Sequence, residues 1–278
     1  MITGHTELIA HIGFPTHAFK APMIYNPYFE QAGIDVVVVP MACEPQHFTQ
    51  LIQGLSGLGN FRGALITMPH KTRVLDILDV LSPAARIAGA CNAVRYNEKG
   101  QLVGDMFDGE GFVRGISRKG FETKGARALV VGNGGVGSAI AASLAAAGVA
   151  SLALFDMSPA RIDTLARRLQ DAYPQLTVTT GERDPYGFDL VVNATPLGMS
   201  AEDPLPVDVQ RLQAETWVGE VVMKTEMTAF LNAAQARGCR VQVGADMLFE
   251  QIPAYLEFFG LPVTSVDELR RLAQLQYR

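Results

Sequence analysis

Short apolar runs alternate with amphipathic stretches along most of the chain, and the two periods predict strands and helices in turn. Strands are expected at Leu8–Ile12, Ile34–Val39 and Gly63–Ile66. The consecutive valines Val36 to Val39 suit a strand buried on both faces. Helices are expected over Pro22–Gln31 and Pro45–Leu58. Pro69 is placed to open a third, through Val80, because a missing amide costs nothing in a first helical turn. A second series follows with strands at Ala128–Val131, Leu152–Phe155, Leu176–Thr179, Leu190–Asn193, Trp217–Val222 and Val241–Val243, and a helix over Pro159–Ala172. Helices at Asp246–Phe259 and Val266–Gln276 have wide apolar faces and no strand after them. The expected fold is α/β with two α/β domains: residues 1–104 with 245–278, and residues 105–244. The C-terminal helices return to the first domain, and a site between the domains is the default expectation.

Arg127 to Gly148 joins a buried strand, a glycine-rich turn and an alanine-rich helix without a break. Gly132 permits a tight turn, Gly134 lets backbone approach a pyrophosphate, and Gly137 allows close packing of helix on strand. The free amides that open the helix, across Asn133, Gly135 and Val136, sit at its positive dipole end and suit phosphate. The 105–244 domain therefore reads as a Rossmann-type dinucleotide-binding domain. The acidic residue expected roughly 20 positions later is Asp156, whose carboxylate would accept ribose hydroxyls and repel a 2'-phosphate. That favours NAD, with NADP possible because Arg161 lies close enough in sequence to receive a phosphate. The alternative role for Asp156 is as the cap of the helix that begins near Pro159.

At 278 residues and 48% hydrophobic content, the chain is long enough for two domains with real cores. No apolar run approaches the roughly 18 residues of a membrane helix, and the N-terminal stretch lacks the regions of a signal peptide, so a cytoplasmic location is expected. A net charge of -5 without basic runs argues against a nucleic-acid partner. Cys43, Cys91 and Cys239 have no metal-ligand spacing and read as reduced core thiols; no metal site is expected. Repeats are absent, and a monomer or homodimer is expected.

Two further segments look chemical: Thr67-Met68-Pro69-His70-Lys71, after a strand, and Gly104-Asp105-Met106-Phe107-Asp108-Gly109, between the two series. With the glycine-rich turn they resemble, in order and spacing, the shikimate and quinate dehydrogenase family. The pattern GxNVTxPxK appears from Gly63 to Lys71, GAVNT from Gly89 to Ala93, and GxNTDxxG from Gly104 to Gly111. Asn193 to Met199 resembles the segment beside the nicotinamide, and Gly244 to Gln251 resembles GxxMLxxQ. The resemblance spans nearly the whole chain. It implies a catalytic pair of Lys71, exchanging the proton of an alcohol, and Asp108, orienting Lys71 and the hydroxyl. It implies that Thr67, Asn92 and Gln251 bond substrate hydroxyls, and that Asn193, Thr195, Met199 and Gly244 belong to the cofactor site. Without the family, Lys71 reads as an exposed helix residue, Asp108 as a helix cap, Asn92 as a turn residue, Gln251 as a solvated helix face and Met199 as core. His70 reads as a bystander on the Pro69 helix.

The chain departs from the family where two serines hold the substrate carboxylate: Phe19 and Ala21 stand there. Each charge-assisted bond is worth roughly 1.5 to 3 kcal/mol, so their loss argues against efficient turnover of shikimate. Lys20, His17 and Thr16 are the nearby candidates for holding a carboxylate differently. Leu65 replaces an asparagine and Met223 a tyrosine, two further exchanges of a hydrogen-bonding group for an apolar one. Asp156-Met157-Ser158 lacks the arginine of the NADP-type segment, in agreement with NAD. The expected function is an NAD-preferring dehydrogenase that interconverts a ring hydroxyl and a ketone of shikimate, quinate or a related cyclic hydroxy acid. The competing expectations are a paralogue acting on aminoshikimate or another substrate with only trace shikimate activity, and a non-catalytic NAD-binding regulatory protein.

Overall fold

The computed structural model describes residues 2–17 and 19–276. The chain divides into two units, one of residues 1–86, 90–107 and 252–278, the other of residues 87–89 and 108–251. The junctions fall at 107/108 and 251/252, a few residues after the expected 104/105 and 244/245.

The first unit is built from β1 (Glu7–Gly13), α1 (Pro22–Ala32), β2 (Val36–Ala42), α2 (Phe48–Leu55), β3 (Phe61–Ile66), β4 (Val80–Leu81), α3 (Pro83–Ala88, whose last residues belong to the second unit), β5 (Ala93–Tyr96) and β6 (Leu102–Asp105). Its six-stranded sheet has the order β2-β1-β3-β5-β6-β4, with β1 parallel to both its neighbours and β5 antiparallel to β3 and β6. The valine-rich β2 and β1 hold Ile9, Ile12, Val36 and Val38 inside, with Ile24 and Phe29 of α1 also buried. The C-terminal segment packs on the same unit: Tyr28 donates to the Pro262 carbonyl at 2.7 Å, and the Gln274 amide to the Met23 carbonyl at 2.9 Å.

The helix expected from Pro69 to Val80 does not form. Residues 67–72 make turns, Arg73–Ile77 makes a short 3-10 helix, and Val80 is already in β4. The backbone groups a helix would use are taken elsewhere: the Lys71 carbonyl accepts the Cys91 amide at 2.7 Å, while the Leu75 amide bonds to Thr72. The hairpin β5–β6, with its polar tip at residues 97–101, carries no strong periodic signal and was not expected.

The second unit contains α4 (Asp108–Arg118), β7 (Arg127–Val131), α5 (Gly135–Ala146), β8 (Ser151–Phe155), α6 (Pro159–Ala172), β9 (Thr177–Thr180), β10 (Leu190–Asn193), β11 (Trp217–Glu220), α7 (Ala229–Ala236), β12 (Arg240–Gln242) and the first part of α8 (Gly244–Phe258). The last helix, α9 (Val266–Leu272), belongs to the first unit and ends earlier than expected. The sheet order β12-β11-β10-β7-β8-β9, parallel throughout, is the doubly wound order of a Rossmann domain. Both faces are covered. Ala128, Val130 and Leu152 pack with Phe112 and Ile140, whereas Leu129, Val131 and Ala153 pack with Phe230 and Leu231. This two-sided burial is why these strands read as unbroken apolar runs.

The turn after β7 requires glycine twice. Gly132 has φ +92°, and a Cβ there would lie 2.7 Å from Thr195. At Gly137 a Cβ would stand 1.8 Å from the Gly132 carbonyl oxygen, so α5 rests directly on the turn. Gly137→Ala is expected to push α5 away and cost about 1 to 3 kcal/mol of stability. Chemical unfolding against the wild-type chain checks this, and an unchanged stability would mean that the helix moves freely.

Candidate active site and cofactor site

In the second unit, β7 and β10 lie side by side where the strand order reverses, the place at which doubly wound sheets bind ligands at their strand C-termini. The turn between β7 and α5 is tied to the end of β8. The Gly132 amide donates to the Phe155 carbonyl at 2.7 Å, the Asn133 amide to Asp156 Oδ2 at 2.7 Å, and Asn133 Nδ2 to the Phe155 carbonyl at 2.8 Å. Asp156 Oδ1 accepts the Ser158 amide at 2.9 Å. Ser158, not Asp156, occupies the cap position of α6. Each carboxylate oxygen has a second lone-pair site, so Asp156 is held in place with acceptor capacity to spare. Arg161 Nη1 stands 3.9 Å from Asp156 Oδ1 on a largely exposed side chain.

These residues fit a dinucleotide. No side chain caps the amides that open α5. Gly134, at the cap position with φ -71°, has a backbone conformation any residue adopts, and a Cβ there would meet no protein atom. The fold therefore leaves open space over the helix N-terminus, where Gly135 and Val136 are half-buried and Gly137 buried, and an anion's charge is favoured there. At the end of β10, Asn193 Oδ1 accepts from the Thr195 amide and hydroxyl at 3.1 and 2.6 Å, while its Nδ2 donates to the Leu197 carbonyl at 2.9 Å. Asp203 Oδ2 accepts the Gly198 and Ser200 amides, each at 2.9 Å, and so brackets Met199, which is 44% exposed rather than core. Glu220 lies fully buried behind Asn193; burial pushes its carboxyl above the usual range, opposed by hydrogen bonds from Thr228 and Asn193. Gly244 opens α8 against the Val222 carbonyl, where a Cβ would sit at 2.3 Å. Asp203 and Glu220 were not legible in the sequence, since an acid in a loop or at a strand end shows nothing of what it accepts.

Asp108 and Gln251 also belong to this unit. Asp108 begins α4 and is 3% exposed; Gln251 lies in α8, 5% exposed, with Oε1 unpartnered. The two helices meet where a Cβ on Gly111 would stand 2.7 Å from that of Gln251. Gln251 is thus a buried group and not a solvated helix face.

In the first unit, the turn after β3 carries Thr67 and Lys71. The Thr67 amide donates to the Ile12 carbonyl at 2.9 Å, which continues the β1–β3 ladder. His70 is fully buried, stacked on Phe48 at 4.3 Å, with Nε2 2.7 Å from the Cys43 carbonyl oxygen. His70 is therefore not on a helix and not a bystander; it anchors the turn that presents Lys71. Asn92, 1% exposed, accepts the Phe107 amide at 3.0 Å through Oδ1, and its Nδ2 has no hydrogen-bond partner. A buried, unpaired amide donor is costly unless a ligand completes it. Lys20 donates to the Gln276 carbonyl, and burial lowers its pKa.

His11 escaped the sequence reading because one histidine within an apolar strand resembles core. It is buried, its Nδ1 lacks a partner, and Phe19 stacks on its ring with centroids 4.0 Å apart. Burial, and then the positive charge of Lys71, push its pKa down to about 3. Lys71 also acts on Cys91, whose thiol is pushed up to about 12 mainly by burial. All three cysteines are free and buried. Among the described residues no His, Cys, Asp or Glu cluster is arranged to hold a metal, and no helix is long and apolar enough to cross a membrane.

A doubly wound nucleotide domain, and a second α/β unit that holds Lys71 on a pinned turn, are the parts of an NAD(P)-dependent dehydrogenase, and the relatives agree. Residues 12–94 match the model of the shikimate dehydrogenase substrate binding domain. The NADP(+) shikimate dehydrogenase of Desulforamulus reducens is 34% identical over 99% of this chain and 97% of its own. Among solved structures, shikimate 5-dehydrogenase from Listeria monocytogenes, in complex with shikimate and NAD, superposes with TM-score 0.89 at 28% identity, covering 98% of this chain and 97% of that one. The ligand-free 5-ketofructose reductase of Gluconobacter sp. strain CHM43 gives TM-score 0.87 at 26% identity, covering 97% and 98%. The chain belongs to the shikimate/quinate dehydrogenase family.

The depressed pKa of His11 has a stability consequence with a definite sign. An unfolded histidine takes up a proton near its ordinary value of 6.5 and the folded one only near 3, so its contribution is full above pH 6.5 and is lost as pH falls toward 3. Between pH 7 and pH 5 the wild-type chain is expected to lose about 2 kcal/mol more unfolding free energy than His11→Leu. Denaturant titrations at the two pH values check the difference; equal losses would place a charge on the folded imidazole.

Proposed function

We propose that this dehydrogenase interconverts a secondary hydroxyl and a ketone on a small polyhydroxy compound, with Lys71 as the proton-exchanging group and NAD as the preferred cofactor. Its substrate in this reading falls within the range spanned by shikimate, quinate and the 5-ketofructose of the Gluconobacter protein. The observation that carries the reading is the pairing of a pinned Lys71 turn with the buried, unpartnered Nδ2 of Asn92, which immediately follows the residue bonded to the Lys71 carbonyl. A hydroxyl or carbonyl oxygen is the group that satisfies such a donor without adding charge.

Gly132 to Gly137 and Asp156 would hold the cofactor's pyrophosphate and ribose, with Asn193 to Met199 beside the nicotinamide. When bound, the nicotinamide supplies or takes the hydride at the substrate carbon. Lys71 takes the proton from the hydroxyl during oxidation and returns it to the carbonyl oxygen during reduction. Asp108 orients Lys71 and the hydroxyl; Thr67, Asn92 and Gln251 bond neighbouring hydroxyls. Lys20, directed at the Gln276 carbonyl, has no assigned part. For the cofactor, Asp156 is held by two backbone amides where a ribose would lie, and the neighbouring Met157 is exposed and uncharged. Those features support NAD, although the Desulforamulus relative is an NADP(+) enzyme.

Lys71→Ala is expected to reduce hydride transfer at least about a hundredfold while cofactor affinity stays unchanged, as measured by initial rates and by titration of cofactor binding. Near-normal turnover in that variant would remove Lys71 from its role. Asp156→Asn, which keeps an acceptor for the Asn133 amide and removes the charge, is expected to raise kcat/KM for NADP relative to NAD at least about tenfold. An unchanged ratio would mean that Asp156 does not touch ribose.

A further inference from the structure

In the first unit, β1 and β3 run parallel with His11 beside Leu65 and Ile12 beside Ile66. Register partners in a parallel pair present their side chains to one face, and positions two apart along a strand share that face. His11, Gly13 and Leu65 therefore lie together on one side of the sheet. Phe19 covers that side: its ring stacks on His11, and its Cζ stands 2.8 Å from where a Gly13 Cβ would be, with Thr67 Cγ2 on the same spot at 2.5 Å. Leu65 is buried, whereas Phe19, Thr67 and Lys71 are half-buried, so the wall reaches solvent at its Lys71 end.

This wall offers hydrogen bonds and, apart from Lys71 at its solvent end, no charge. Its polar atoms are the Thr67 hydroxyl and the unpartnered Nδ1 of His11. Lys71 is its one cation among these groups and is committed to the reacting oxygen; Lys20, the next in sequence to Phe19, points its ammonium to the Gln276 carbonyl. A buried His11 kept neutral adds no second positive charge. A carboxylate brought against Phe19 and Leu65 would lose hydration and gain no charge-assisted bond in return, an expensive exchange. A ring or chain bearing hydroxyls loses far less, since its C–H face can lie on the phenyl ring while its hydroxyls meet His11 and Thr67.

We infer that the substrate is an uncharged polyhydroxy ketone, or the corresponding alcohol, with no carboxylate, and that His11 and Phe19 are the residues that select it. His11 Nδ1 bonds a substrate hydroxyl, and Phe19 provides the apolar face in place of an anion site. The inference rests on the proposed dehydrogenase reading and narrows its substrate.

The test is calorimetric titration of the full chain with shikimate, with its neutral methyl ester and with 5-ketofructose, alongside initial rates for each. Both neutral probes are expected to bind at least about tenfold more tightly than shikimate and to show the larger kcat/KM. His11→Leu is expected to weaken both neutral probes about tenfold without changing the cofactor Kd. The double variant Phe19→Ser/Ala21→Ser is expected to narrow the ester-to-acid ratio by a similar factor. Shikimate binding as tightly as its ester in the wild-type chain would overturn the inference, as would failure of both neutral probes to bind. Failure of the underlying reading is a separate result: Lys71→Ala retaining turnover would remove the proposed chemistry while leaving the measured charge preference in place.

Discussion

The approach of α5 to the turn after β7 sets the geometry of the nucleotide-binding unit, because a Cβ on Gly137 would stand 1.8 Å from the Gly132 carbonyl oxygen. With the helix seated that low, its uncapped N-terminus faces the space over Gly134, and the end of β8 comes within hydrogen-bond reach of the same turn. Asp156 then accepts the Asn133 amide and becomes part of the turn. The neighbouring β10 loop is fixed from the other side, since Gly132 tolerates Thr195 at contact distance only because it lacks a side chain. One backbone contact thus sets the uncapped helix N-terminus, Asp156 and Thr195 around the same turn.

The first unit is organised by a different constraint, which is the satisfaction of polar groups in a sheet interior. The His70 ring stacks on Phe48 and bonds to the Cys43 carbonyl, and the Lys71 carbonyl accepts the Cys91 amide, so tertiary bonds hold the turn in addition to its own local ones. Among the buried polar atoms left without a partner in this unit are Nδ1 of His11, which feels the charge of Lys71, and Nδ2 of Asn92. Buried donors and acceptors are normally paired, so these two orphans, one on β1 and one just ahead of β5, are hydrogen bonds that a ligand would complete. Their company, Phe19 and Leu65, describes the charge that the ligand lacks.

Much of the second unit was legible from its sequence. Strands buried on both faces write themselves as apolar runs, and the glycine spacing of 132, 134 and 137 encodes steric needs that no other residue meets. In the first unit the same reading found β1, β2 and β3 but placed a helix from Pro69 onward, because a proline followed by apolar residues at mixed spacing looks like a first helical turn. The hairpin β5–β6 and the helices α3, α4 and α7 went unread, being short or weakly periodic. At the site, the chemical residue types stand out as motifs, whereas nothing in the sequence around Lys20 shows that its ammonium donates to the distant Gln276 carbonyl.

By itself the sequence determined the alternation of elements, the dinucleotide turn, the family and the loss of hydroxyls at Phe19 and Ala21, since each of these is a local pattern of size, polarity or backbone freedom. Only the tertiary structure decided that Asp156 is clamped by two amides, that His70 is an anchor, and that His11 lies beneath Phe19 with an unpaired nitrogen. Those facts depend on strand register and on groups far apart in the chain competing for the same hydrogen bonds. Such a competition is settled only when the whole unit is folded.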